Sequence, residues 1–141
     1  MSVTLDMTGI IESLKVEESY RAKAYHCTAG HLTIGFGRNI DKSGLGITEE
    51  EAEYLLKNDV VRTIDEVRQR WPWFDELNKG AREVMVELCF QLGAPRLSGF
   101  KKCLAALERG DTATAAVELL DSRFAEQVPA RANRLAARLR G

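Results

Sequence analysis

No stretch of the 141-residue chain comes near the ~20 consecutive apolar residues of a membrane-spanning helix, so none is expected. The opening Met1-Ser2-Val3-Thr4-Leu5-Asp6 has neither a basic start nor an apolar core of leader length, and the expectation is synthesis and folding in the cytoplasm without stable membrane association. Cysteine is scarce. Three residues, an odd count with no pairing pattern, argue for free thiols and against a disulfide framework, with Cys89 and Cys103 read as small core residues. His26, Cys27 and His31 lie close in sequence, but no fourth ligand stands at a recognisable spacing, so no metal is expected. Gly35 and Gly37 form a G-x-G without a third glycine or a following helix start, which is weak as a phosphate loop; close backbone packing explains them better, and no cofactor is expected. An excess of positive charge is also missing: 20 Lys and Arg face 21 Asp and Glu, and a net charge of −1 gives no reason to expect a nucleic-acid partner. No repeat, low-complexity tract or flexible linker divides the chain, which reads as a single domain over residues 1–141.

What is present is a patterned, largely helical sequence. Hydrophobic residues make up 45% of it, enough for an ordinary core in a domain long enough to form two lobes around a cleft. Ile10, Ile11, Leu14 and Val16 recur at roughly helical spacing and predict a short amphipathic helix ending at Glu18. Ala22, Ala24 and His26 alternate with Arg21, Lys23 and Tyr25, then Thr28-Ala29-Gly30 precedes His31-Leu32-Thr33-Ile34, which predicts two short strands around a turn. After the turn-rich 41–46 connector, Thr48-Glu49-Glu50-Glu51 has the form of a capping box, opening a long helix with an apolar stripe of Leu56, Val60, Ile64, Val67 and Trp71 up to Pro72. From about Lys79 the chain is apolar on nearly every side until Gly93, as expected of a helix at the centre of a bundle. Ser98 and Gly110 bracket a further helix, Asp111 caps the next, and Pro129 opens the last. That last helix carries Ala132, Leu135, Ala136 and Leu139 inward, with Arg131, Arg134 and Arg138 opposite. Charge is uneven along the chain: residues 41–66 sum to −5 and residues 123–141 to +4, so the C-terminal part should present a positive face.

Glu18 precedes Cys27 by nine positions, and Cys27 precedes Thr33 by six, which places a carboxyl, a thiol and a hydroxyl on the neighbouring ends of a helix and a hairpin. This E-x8-C-x5-T spacing, followed by Ile34-Gly35-Phe36-Gly37, resembles the signature of the phage-type lysozymes of glycoside hydrolase family 24, the group containing the T-even phage lysozymes. Cys27 stands where many members carry a catalytic aspartate. The resemblance continues in order through Phe90-Gln91-Leu92-Gly93, Ser98-Gly99-Phe100, Asp121-Ser122-Arg123-Phe124 and Gln127-Val128-Pro129-Ala130-Arg131-Ala132, covering about residues 10–134. It departs from the T-even pattern at Arg38, where those enzymes have histidine, and in a much shorter connection before the Thr48 helix.

The resemblance implies a lysozyme-like α+β fold, mostly α: a small N-terminal lobe of about residues 10–47 with a β-hairpin, a connecting helix of about 48–71, a helical lobe of about 72–141, and a cleft between the lobes. The N-terminal helix would pack on the C-terminal lobe. It also implies a muramidase that hydrolyses the β-1,4 bond between N-acetylmuramic acid and N-acetylglucosamine of peptidoglycan, acting as an endolysin. Glu18 would be the general acid. Thr33 would help place the attacking water. A thiol with a reference pKa near 8.5 is only about 3% ionised at pH 7, so Cys27 does not simply imitate aspartate. Two roles stay open for it, a nucleophile giving a glycosyl intermediate or a polar group that positions water and supports charge. Phe90 and Gln91 match positions lining the sugar groove, His31, Leu32, Phe100 and Arg123 belong to the matched segments expected to meet substrate, and Arg131 would approach Glu18. Such an endolysin, expected to be a monomer, would wait in the host bacterial cytoplasm until a holin-type lesion admits it to the periplasmic wall. The competing reading is a peptidoglycan-binding or tail-associated homologue with weak or no turnover because of Cys27; a lytic transglycosylase is a third.

Overall fold

The computed structural model describes residues 5–141. The expected absence of a leader rests partly on residues 1–4, which lie outside the described residues. The architecture is α+β and predominantly helical, with one three-stranded antiparallel sheet. Two compact units divide the chain, one running up to Glu53 and the other spanning Tyr54–Gly141.

In the first unit, α1 (Thr8–Glu18) leads into β1 (Arg21–His26), β2 (Leu32–Gly35) and β3 (Arg38–Asn39), ordered β1-β2-β3. α1 is helical where its apolar spacing predicts, yet it buries none of its side chains, and Ile10, Ile11 and Leu14 are about half exposed. β1 pairs with β2 through Arg21 with Gly35, Tyr25 with Thr33 and His26 with Leu32, and the register shifts between Arg21 and Tyr25. Cys27 donates its main-chain N–H to His31 O at 2.9 Å, which closes the hairpin. Two strands were expected; the described residues form three. Gly37, at φ +77°, lets the chain reverse within two residues, so that Arg38 pairs with Ile34 and Asn39 with Thr33. The capping box is realised in both directions: Glu51 donates its N–H to Thr48 Oγ1 (3.1 Å), and Thr48 donates its own to Glu51 Oε1 (2.9 Å). This starts α2 (Glu49–Arg70), whose first turn belongs to the first unit and whose remainder belongs to the second.

The second unit holds the core. Val67 of α2 is fully buried, and Pro72 converts the chain into a 3-10 turn, Pro72–Glu76, that buries Phe74. α3 (Lys79–Leu92) is capped by Asn78, which accepts from the Ala81 N–H at 2.9 Å, and it buries Ala81, Val84, Met85, Leu88 and Cys89. It is not apolar-buried on every side, because Phe90 is 46% exposed. α4 (Ala94–Leu97), α5 (Lys101–Glu108), α6 (Thr112–Leu120), α7 (Arg123–Gln127) and α8 (Pro129–Arg140) complete the bundle. Asp111 caps α6 by accepting from the Thr114 N–H at 3.0 Å, as its position predicts. The stripe Ala132, Leu135, Ala136 and Leu139 of α8 is buried, and it packs on α6, where Ala115, Ala116 and Leu119 are equally buried. Each buried leucine contributes roughly 1.5–3 kcal/mol by leaving water. α8 also approaches α3 closely: a Cβ on Gly80 would stand 2.6 Å from the main-chain oxygen of Arg138.

Candidate active site

α1 delivers Glu18 as its final residue, and the chain turns sharply after it. Ser19 sits at φ 57°, ψ 146°, the only non-glycine among the described residues with positive φ, and its N–H closes the helix on Lys15 O at 3.1 Å. A serine held in that region costs on the order of 1–3 kcal/mol, sustained by the surrounding structure. The Glu18 side chain then lies against the turn between β2 and β3. A Cβ built on Gly37 would meet Glu18 Oε2 at 2.7 Å and Cδ at 3.0 Å, so a side chain there would push the Glu18 carboxylate aside, and φ +77° itself favours glycine. The ring of Phe36 tightens the same junction, standing 5.7 Å from the Tyr20 ring, with the Lys15 ammonium 5.9 Å from its centroid. Close backbone packing was expected of Gly35 and Gly37; the neighbour at Gly37 is the Glu18 side chain, while the space around a Gly35 Cβ is open.

Thr33 is the one buried polar residue among the described residues, 4% exposed, and its hydroxyl donates to His31 O at 2.8 Å. Cys27 is half-buried beside it. Hydrogen bonding from the His31 main chain holds the Cys27 thiol below the usual thiol range, with smaller contributions from Ala29, the Thr33 hydroxyl and Gly30, against a partial desolvation. The turn that closes the hairpin therefore gathers main-chain N–H groups around the sulfur. His31 is half exposed, with Nδ1 3.9 Å from Asp41 Oδ2, and Asp41 accepts the Leu32 N–H through the same oxygen at 2.5 Å. Leu32 thus contributes its main chain to this corner. Asp41 carries no sequence signal beyond its place in a turn-rich connector.

The three residues expected to be catalytic form two contacts, Glu18 with Gly37 and Cys27 with Thr33, and both are made along one strand-and-turn segment from Thr33 to Gly37. Arg38, the position that departs from the T-even pattern, sits next along the chain. Its guanidinium forks onto Glu51, Nη1 to Oε1 at 2.9 Å and Nη2 to Oε2 at 2.7 Å, and Nη1 also reaches Gly46 O at 2.9 Å. This fork, with the Thr48 N–H, pulls the Glu51 carboxyl down from 4.5 to about 2, and it raises Arg38 in turn.

In the second unit, the residues expected to bind substrate fall into separate places. Phe90 and Arg131 line a cavity of about 590 Å³ with an apolar floor that includes Leu56, Val60, Ile64 and Val86. Arg131 has its own partner there, Glu87, at 3.7 Å, while its Nε is buried without a hydrogen bond. Arg138, expected on the solvated side of α8, bridges Glu83 (2.9 Å) and Glu87. Phe100 and Arg123 line a different cavity of about 530 Å³ over the edge-on pair Phe100 and Phe124, whose centroids are 6.4 Å apart. Gln91 is exposed on α3 and lines neither. Cys89 and Cys103 are buried, and desolvation raises both thiols, Cys103 to about 11. Among the described residues no three His, Cys, Asp or Glu side chains gather at metal-holding distance, and no helix is long and apolar enough to cross a membrane.

Comparison with known proteins places the chain in a family. The phage lysozyme model matches residues 15–138, from the last turn of α1 to the last turn of α8. Two Dictyostelium discoideum proteins, named probable T4-type lysozyme 2 and probable T4-type lysozyme 1, are 27% and 24% identical, each over 92% of this chain and 92% of its own length. The pre-baseplate central spike protein Gp5 of Enterobacteria phage T4 is 27% identical over 90% of this chain, which spans only 27% of that protein. With nearly its whole length matched and a lysozyme-like α+β architecture, the chain belongs to the phage lysozyme family.

Proposed function

We propose that the protein is a muramidase that hydrolyses the β-1,4 bond between N-acetylmuramic acid and N-acetylglucosamine. The observation that carries this reading is the side chain of Glu18, set against the bare backbone of Gly37 at the end of a strained helix cap, in a chain of the phage lysozyme family. An exposed carboxyl at the end of a helix, lying against the turn backbone, can hand one proton to the leaving glycosidic oxygen. Cys27 takes the place of the second carboxylate. With its thiol held down by the hairpin turn, a larger fraction is thiolate at neutral pH than in a free cysteine, so the group supports positive charge at the sugar or orients water better than its type suggests. Thr33, anchored to His31 O, would fix the neighbouring water. We favour this supporting role for Cys27 over a covalent glycosyl intermediate. Phe90 offers an exposed ring for sugar packing and Gln91 an amide for an acetamido group, while His31, Leu32, Phe100, Arg123 and Arg131 are the further proposed substrate contacts. We read the chain as one lysozyme domain, monomeric, acting as an endolysin that waits in the host cytoplasm for a holin-type lesion.

A second reading rests on one observation. A relative over 90% of this chain is a pre-baseplate spike protein, so a tail-associated, weakly active or binding-only homologue is the alternative. Purified Gram-negative peptidoglycan incubated with the wild-type protein separates the two. Release of muropeptides with new reducing ends supports the muramidase, and products ending in 1,6-anhydro sugars point to a transglycosylase. Binding to sacculi with no release of either supports the alternative.

A further inference from the structure

Arg38 lies next to the glycine against which Glu18 rests, yet its guanidinium points at Glu51 and Gly46, away from any reacting group. Its three hydrogen bonds tie β3 to the connector at Gly46 and to the capping box that opens α2. β3 is only two residues long, and beside its ladder pairing and the Gly46 N–H to Asn39 O bond (3.0 Å) the fork is the side-chain contact that ties it to the capping box. Gly37 is bonded directly to Arg38 and has φ +77°, a conformation with no side chain of its own to hold it. A contact that anchors Arg38 therefore restrains the turn that lies against the Glu18 carboxylate. We infer that Arg38 is a positioning residue for Glu18, acting through its fork on Glu51 to hold Gly37 against the carboxylate. This inference rests on the reading of Glu18 as the general acid.

The consequence is a particular pattern of kinetic damage. The Arg38 side chain bonds to Glu51 and Gly46, neither of them a proposed sugar contact, so its loss should lower kcat and leave KM within about twofold, because it changes the aim of the acid more than the affinity for glycan. Misplacement by a fraction of an ångström to 1 Å costs up to about 100-fold, and Arg38→Gln should lose between about 10- and 100-fold in kcat. Arg38→Lys keeps the charge without the planar fork and should fall between wild type and Arg38→Gln. Since Arg38 acts through Glu51, the double variant Arg38→Gln with Glu51→Gln should be no slower than the slower single variant.

The test measures kcat and KM on peptidoglycan for wild type, Arg38→Lys, Arg38→Gln, Glu51→Gln and the double variant. The NMR contact between Gly37 Hα and Glu18 Hγ is followed in the same proteins. Asn78→Ala, which removes the cap of α3, controls for lost stability alone and should keep wild-type kcat. The expected result is a kcat loss with KM held, non-additive in the double variant, together with weakening of the Gly37 to Glu18 contact. If Glu18→Gln is inactive but Arg38→Gln keeps wild-type kcat and an unchanged contact, the positioning inference is overturned and the muramidase reading stands. If Glu18→Gln itself retains wild-type turnover, the reading beneath it fails, and the NMR contact still decides whether Arg38 places Gly37.

Discussion

Gly37 has no side chain where Glu18 has its carboxylate: a Cβ at that glycine would stand 2.7 Å from Oε2. The relation is specific to Gly37. Gly110, at a nearly identical φ of +80°, has nothing within 4 Å of its would-be Cβ. Alanine at either site carries the left-handed backbone penalty of about 1–2 kcal/mol. Gly37→Ala must in addition displace the Glu18 carboxylate, so it should lose at least about 10-fold in kcat/KM, while Gly110→Ala at equal cost in Tm should not. Parallel melting curves and turnover measurements check both.

Gly80 gives a case in which the usual sign reverses. Gly-to-Ala in a helix ordinarily gains up to about 1 kcal/mol. Here the added methyl would press on the main-chain oxygen of Arg138 at 2.6 Å, a group that cannot swing away. Gly80→Ala should therefore destabilise by about 1–3 kcal/mol, read as a lower urea midpoint.

The Arg38 fork also sets an acid dependence. Glu51 falls from 4.5 to about 2 in the folded protein, so its ionised form is the one the fold favours. Its stabilisation is present in full above the unfolded value of about 4.5 and is lost as pH falls towards 2. Glu83, lowered by Arg138, acts in the same direction. Melting temperatures between pH 6 and about pH 2.5 should fall steeply in wild type and less steeply in Glu51→Gln.

Much of this arrangement was legible in the chain, and the rest was not, for physical reasons. Periodic signals were read correctly: the stripe of α8, the capping box at Thr48 and Glu51, and the Asp111 cap all depend on spacings of three and four. The strand Arg38–Asn39 and the short helices α4 and α7 were not anticipated as elements, because two to five residues are too few to display a period. The fork of Arg38 on Glu51 joins residues 13 apart across a connector, where no local pattern forecasts a partner. The run from Lys79 to Gly93 reads as apolar on nearly every side, and the 46% exposure of Phe90 within it follows from its place on the open side of α3, a property of tertiary packing.

Cys27 should stand out chemically from its two companions. Its thiol is lowered by the hairpin main chain and half-exposed, whereas Cys89 and Cys103 are buried and raised. Thiolate is the reactive form, so brief treatment of native protein with iodoacetamide at neutral pH should add one label, located on Cys27 by peptide mass spectrometry. Activity should fall in step with that label. In Cys27→Asp it should survive the same treatment, and equal inhibition of both proteins would place the sensitive thiol elsewhere.

The central claim, that Glu18 is the proton donor of a peptidoglycan hydrolase, is met most directly by one comparison. Wild type and Glu18→Gln, matched for folding by circular dichroism, are assayed for reducing-end release from purified peptidoglycan. Release by wild type that is abolished in Glu18→Gln is the predicted result, since the amide keeps the shape and loses the proton. Undiminished release by Glu18→Gln would contradict it.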